Sequence, residues 1–232
     1  THGEIMKKLT SSILLALVII PMAFAQGMPD PNIPQGENFN VPEGWEVRLD
    51  KPMENLIISS KPDSGDIYFV NMTPGWHLTT GPRAIFWHPE NNAKGDYTLT
   101  TSMYTFDTKG RDREGFGLFF GGSNLHEDKQ EYIYFLIRNT GHFLIKKRKG
   151  SETENITDWI PSEHILRFTS ESESSEFNTL SVNVSANSVD FYINDELVIS
   201  KEAAVLQTEG LFGLRVNHAV NLHISDLSMS LE

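Results

Sequence analysis

The chain contains no cysteine in its 232 residues. Disulfides cannot staple it, and the lipid-bearing thiol of a bacterial lipoprotein is excluded; a chain of this length can bury enough apolar surface to fold without cross-links. Positive charge is also scarce, with 19 Lys and Arg against 31 Asp and Glu and a formal net charge of −12. Phosphate backbones require a clustered positive field, so the net charge argues against a nucleic-acid partner. No His-Glu-x-x-His, phosphate-binding glycine loop or Gly-x-Ser-x-Gly elbow occurs, which removes the enzyme classes built on those motifs. The one long apolar run lies near the N-terminus and falls short of the ~20 residues that cross a bilayer, so no membrane span is expected.

What that run does resemble is an export signal. Lys7 and Lys8 precede the apolar residues 13–20, followed by Pro21 and the small-residue site Ala23-Phe24-Ala25. This order predicts a secretory signal peptide over residues 1–25, cleaved before Gln26, with Met6 a better start than Thr1. The expected location is the periplasm or the medium. Residues 26–44 are rich in Pro, Gly and Asn and read as an extended tether. Residues 45–232 then form one domain.

From Trp45 onward, short alternating runs are separated by Gly, Asn, Asp and Pro clusters, with almost no apolar residues at helical spacing. This predicts an all-β fold of roughly ten or more strands, enough for a two-sheet antiparallel β-sandwich. Tyr97, Leu99, Thr101 and Met103 alternate with Thr98, Thr100 and Ser102; Phe116, Leu118 and Phe120 share a side. Leu180, Val182 and Val184 turn through Ala186-Asn187-Ser188 into Val189, Phe191 and Ile193.

One hairpin can be read to its register. Residues 131–138 and 142–148 are separated by Asn139-Thr140-Gly141, and a three-residue loop with Gly in the left-handed position is a favoured hairpin geometry. That loop sets Ile137 opposite Phe143 and Phe135 opposite Ile145 on one face. On the other it sets Arg138 opposite His142, Tyr134 opposite Lys146 and Tyr132 opposite Arg148. A two-residue loop would split the apolar set between faces.

In order, Gly115-Phe-Gly-Leu-Phe-Phe, Tyr132-Ile-Tyr-Phe-Leu-Ile-Arg138, Gly141-His-Phe-Leu-Ile-Lys-Lys-Arg148, Asp158-Trp159, Asn178-Thr-Leu-Ser-Val, Phe191-Tyr-Ile-Asn-Asp-Glu-Leu-Val198 and Gly210-Leu-Phe-Gly-Leu-Arg215 resemble the 3-keto-disaccharide hydrolase-like domains of the concanavalin A-like lectin and glucanase superfamily. The resemblance spans about residues 95–230 and implies a concanavalin A-like jelly roll. That superfamily holds both hydrolases and lectin-like modules, so the fold alone assigns neither.

Glycosidases need two carboxylates about 5–10 Å apart across the scissile bond. Glu171-x-Glu173-x-x-Glu176 lies among serines without apolar alternation and reads as a solvated loop. Asp112, Glu114 and Glu131, with Glu127 and Asp128, flank strands and could supply a loop-borne pair. His218 and His223 are an odd offset apart and fall on opposite faces of a continuous strand. No cofactor is expected. Related jelly rolls hold a structural Ca²⁺ near the last strand, where Asp226, at a switch in alternation that predicts a bulge, is the oxygen ligand on offer.

Two clusters suit a sugar. Lys146, Lys147, Arg148 and Lys149 form a basic run on an acidic chain; beside Tyr132 and Tyr134, and with Arg138 on the same face, they would contact an anionic sugar while the rings stack on it. Trp76, His77, Arg83, Trp87 and His88 surround Gly81-Pro82 and fit polyol recognition. The leading expectation is a secreted, non-catalytic carbohydrate-binding module with a polysaccharide or oligosaccharide partner. The alternative is a glycoside or 3-keto-glycoside hydrolase with loop-borne carboxylates. A third is an assembly protein that reaches its partner through the tether.

Overall fold

The computed structural model describes residues 39–62 and 64–231. The expected signal peptide and the tether up to residue 38 lie outside the described residues. At the end of the tether segment, Phe39 packs on Tyr68, Val70 and Met72, and the Asn40 carbonyl accepts a bond from the Asn71 amide.

The described residues form two eight-stranded sheets. The front sheet runs β1 (Glu46–Leu49), β5 (Ala84–Ala93), β15 (Gly210–Val216), β7 (Gly115–Ser123), β8 (Glu131–Arg138), β9 (His142–Lys149) and β10 (Glu152–Asn155), with β11 (Ile160–Pro161) also paired to β9. The back sheet runs β14 (Glu196–Glu202), β13 (Ser188–Ile193), β12 (Glu176–Val184), β6 (Tyr97–Thr105), β16 (Asn221–Leu231), β4 (Trp76–Thr80), β3 (Ile67–Asn71) and β2 (Ile58–Ser59). Neighbours are antiparallel except β2 and β3. Among the described residues there is no α-helix, only a 3₁₀ turn at Ala203–Val205, and no helix is long and apolar enough to cross a membrane. The fold is the two-sheet antiparallel sandwich that the alternation predicts.

Alternation sorts the middle of the back sheet cleanly. β6 is buried at every second residue from Tyr97 to Thr105, and β12 and β13 repeat the pattern. The buried faces meet in one core, where Phe135 of the front sheet lies 5.2 Å from Phe191 of the back sheet and 6.1 Å from Phe143. The β8–β9 hairpin has the predicted register, with Ile137 opposite Phe143, Tyr134 opposite Lys146 and Tyr132 opposite Arg148. Its Gly141 takes φ +74°, the left-handed conformation such a loop requires. The predicted bulge in the last strand falls between Ile224 and Asp226.

The front sheet departs from simple alternation. β7 is buried from Gly115 to Gly122 and β8 from Tyr132 to Ile137, because a second apolar layer covers the outer face. Ile85, Trp87, Phe119, Leu125, Tyr132, Tyr134, Leu136 and Leu144 compose that layer.

Phe135 bridges the sheets, so Phe135→Ala should open a cavity neither can close and cost about 3–5 kcal/mol. Urea denaturation of the two proteins measures it; a loss under about 1 kcal/mol would mean that the two sheets do not depend on this contact.

Candidate functional site

The outer face of the front sheet has two halves. Over the first, the loop of residues 124–130 folds back: Leu125 joins the apolar layer, its carbonyl accepts a 2.8 Å bond from Arg48, and His126 lies 2.7 Å from Glu46 and 5.3 Å from the Trp87 ring. Tyr132 and Trp87 are sealed beneath, 2% and 1% exposed. Neither can stack on a ligand. The second half is an open cleft of about 1020 Å³.

Tyr134 and Leu136 of β8, Leu144, Lys146 and Arg148 of β9 and Arg215 of β15 reach the cleft from the sheet. Lys51 to Met53 after β1, Pro82 and Arg83 before β5, Arg113 and Glu114 before β7, Trp159 before β11, and Asn217 and His218 after β15 complete its walls from loops.

Arg215 is the fixed point of this surface. Its side chain is 4% exposed and donates two 2.6 Å bonds to the Asp50 carboxylate. On the strand between Arg215 and Leu136 stands Gly117, and the guanidinium reaches to 5.4 Å from the Tyr134 ring centre. Arg148 approaches Asp50 at 3.9 Å and donates 2.6 Å to the Gly150 carbonyl. Burial on its own would raise the Asp50 pKa, but the Arg215 bonds and charge, reinforced by Arg148 and Arg83, hold it below the usual carboxylate range. Burial pushes the Tyr134 phenol up to about 12, so it stays a neutral hydroxyl.

At the other end, Trp159 is half-buried with the Arg138 guanidinium 4.1 Å from its ring centre. It lies against Gly115, where an added Cβ would come 3.1 Å from the indole Cη2 and 3.0 Å from Leu136 Cδ1. Gly115 thus leaves the space that Trp159 fills.

The remaining sequence candidates disperse. Asp112 accepts bonds from Thr108 and Asn139, which hold its pKa low; it anchors the hairpin loop. Glu131 pairs with Lys147 at 3.4 Å. With Asp112 tied to the residue just past β8 and Glu131 at its start, the two are a strand apart, roughly 25 Å at about 3.4 Å per residue, too far to flank one glycosidic bond. Of the proposed acids, only Glu114 lines the cleft, 4.0 Å from His218. Lys147, on the opposite face from Lys146, and the exposed Lys149 do not line it.

The second cluster separates across both sheets. Trp76 turns inward against Trp45, 4.8 Å away. His77 lies outside the back sheet, bonded to Asn221 and stacked 5.8 Å from Phe106. Beside it, burial first and His77 second push the His223 pKa down to about 4. Only Arg83 joins the cleft. Asp226 accepts a bond from Ser228, and among the described residues no group of three or more His, Asp or Glu could hold a metal ion.

The pairing of Asp50 with Arg215 generates a prediction. Asp50→Asn leaves a buried guanidinium uncompensated, so it should cost about 3–5 kcal/mol in urea denaturation at neutral pH. Since the folded pKa of Asp50 is depressed, the wild-type advantage is present above the unfolded carboxylate pKa and is lost as pH falls through the folded value. A difference between the two proteins that does not shrink on acidification would show that the pair is not its source.

No family profile matches the chain, and no curated protein sequence does. Solved structures are similar in fold. The carbohydrate-binding module CBM66 from Bacillus subtilis superposes with a TM-score of 0.57 at 13% identity, covering 81% of this chain and 95% of that one. The VIP36 exoplasmic/lumenal domain in its Ca²⁺/Man2-bound form gives 0.52 at 10% identity, covering 82% and 81%; its metal-free form gives 0.52 at 9%, covering 83% and 88%. The chain shares the concanavalin A-like lectin fold with them.

Proposed function

We propose that the domain is a non-catalytic carbohydrate-binding module that takes a polysaccharide or oligosaccharide in the cleft on the outer face of the front sheet. In this reading residues 1–25 direct export and residues 26–44 are the tether segment, whose end from Phe39 already packs on the domain. The observation that carries it is the cleft itself: an open trough roomy enough for sugar rings, with a half-buried indole as one wall and fixed donors along its floor. Sugars offer apolar C–H faces to aromatic rings and hydroxyls to side-chain donors and acceptors. Trp159 supplies the first; Arg148, Lys146, Asn217 and the neutral Tyr134 hydroxyl supply the second. The fold supports the reading, since CBM66 is a carbohydrate-binding module and the VIP36 domain was solved with Man2 bound.

Binding is favoured over hydrolysis by the state of the cleft's carboxylates. Asp50 is doubly bonded to Arg215 and held ionised, the opposite of what a general acid requires. Glu114 is the other carboxylate lining the cleft, and Asp50, with both oxygens bonded to Arg215, is not free to serve as its nucleophile or base.

Affinity electrophoresis against a panel of soluble polysaccharides tests the proposal. Trp159→Ala should weaken binding of the retained polymer by about tenfold or more, roughly 1.4 kcal/mol, with the circular dichroism of the wild type. Undiminished retention of the variant would move the site elsewhere, and retention on no polymer would remove the reading.

A further inference from the structure

The charge on the cleft runs against the charge on the chain. Acids outnumber bases 31 to 19 overall, yet Lys51, Arg83, Arg113, Lys146, Arg148 and Arg215 line the cleft against only Asp50 and Glu114. Arg148 and Arg215 are partnered by Asp50. Lys51, Arg83, Arg113 and Lys146 form no ion pair with a carboxylate among the described residues. They come from four separate segments of the chain, so a charged strand edge does not explain them. Converging on one trough over an apolar floor, like charges repel one another, and the low-dielectric walls focus their field outward. Binding neutral hydroxyls would relieve none of that repulsion. An oxyanion entering the trough would, and it can take forked hydrogen bonds from a guanidinium.

We propose that the cleft selects glycans that carry oxyanions, either uronate carboxylates or sulfate esters, with Arg83, Arg113 and Lys146 reading the charge beside the Trp159 wall. This rests on the carbohydrate-binding reading above. A polyanion meets net repulsion from a chain of −12, so its binding must come from a local site and not from bulk attraction.

Matched polymers isolate the charge. Calorimetric titration of the purified chain with polygalacturonate and with its fully methyl-esterified form compares one backbone with and without carboxylates; dextran sulfate and dextran do the same for sulfate. Within at least one pair the anionic polymer should bind about tenfold or more tighter, with an affinity that falls as salt rises. The pair that shows it tells uronate from sulfate. The double variant Arg113→Gln with Lys146→Gln, both outside the buried Asp50 pair, should erase most of that preference while leaving thermal stability near wild type. Equal affinity for charged and uncharged members of both pairs would overturn the proposal, as would a preference that persists undiminished in the double variant. If neutral polymers alone bind, only the charge selectivity falls; if none of the four and no other polysaccharide binds, the carbohydrate reading falls with it.

Discussion

A guanidinium buried over an aromatic ring is stable only when a carboxylate meets it, and the outer face of the front sheet is organised around that requirement. Arg215 projects from the middle of β15 onto a floor of tyrosines and leucines, and the loop after β1 delivers Asp50 to it through two short bonds. Removing one member of such a pair costs far more than the pair contributes over an apolar alternative. The pair therefore acts mainly by position. It pins the Asp50 loop to the sheet, places Lys51 and Met53 on the cleft wall, and holds Arg148 and Arg83 close.

The same face shows why the cleft is where it is. A sheet apolar on both sides must be covered on both, and the back sheet covers only one. Residues 124–130 cover the Tyr132 and Trp87 end with Leu125 and His126. Among the described residues no comparable loop extends over Tyr134, Leu136 and Leu144, where Arg148, Arg215 and Trp159 leave a trough with an apolar base and charged walls. Such a combination suits a ligand with both C–H faces and polar substituents. The excess of cations in it sets which substituents are favoured, and the acidity of the rest of the surface keeps that preference local.

Much of the sandwich was legible in the sequence because alternation reports which side chains share a face. The hairpin register followed from one glycine and the need to keep Phe135, Ile137, Phe143 and Ile145 together. Alternation does not report whether the second face is wet. Tyr132 was expected to stack on a ligand and is instead buried; the unbroken apolar run Tyr132-Ile-Tyr-Phe-Leu-Ile was the signal, since a strand without polar alternation is covered on both faces. The lone Arg215 inside an apolar strand was a second such signal. Asp50, Arg113 and Trp159 had none, because only the strand order brings their loops together; Arg83 was read as a binding residue, but with Trp76 and His77 as neighbours and not with this cleft. Trp76, His77 and Trp87, close in sequence, parted for the complementary reason: β4 and β5 belong to different sheets.

The chain holds four tryptophans, and of these Trp159 alone lines the cleft, while Trp45 and Trp76 pack against the core and Trp87 is sealed beneath His126. Indole ¹H–¹⁵N resonances of the labelled protein, followed while a bound oligosaccharide is titrated in, therefore locate the ligand directly. The Trp159 signal should shift along the binding isotherm, with the Trp45 and Trp76 signals nearly still. A Trp159 resonance unmoved at saturation, or shifts centred on Trp45 and Trp76, would contradict a binding cleft on the outer face of the front sheet.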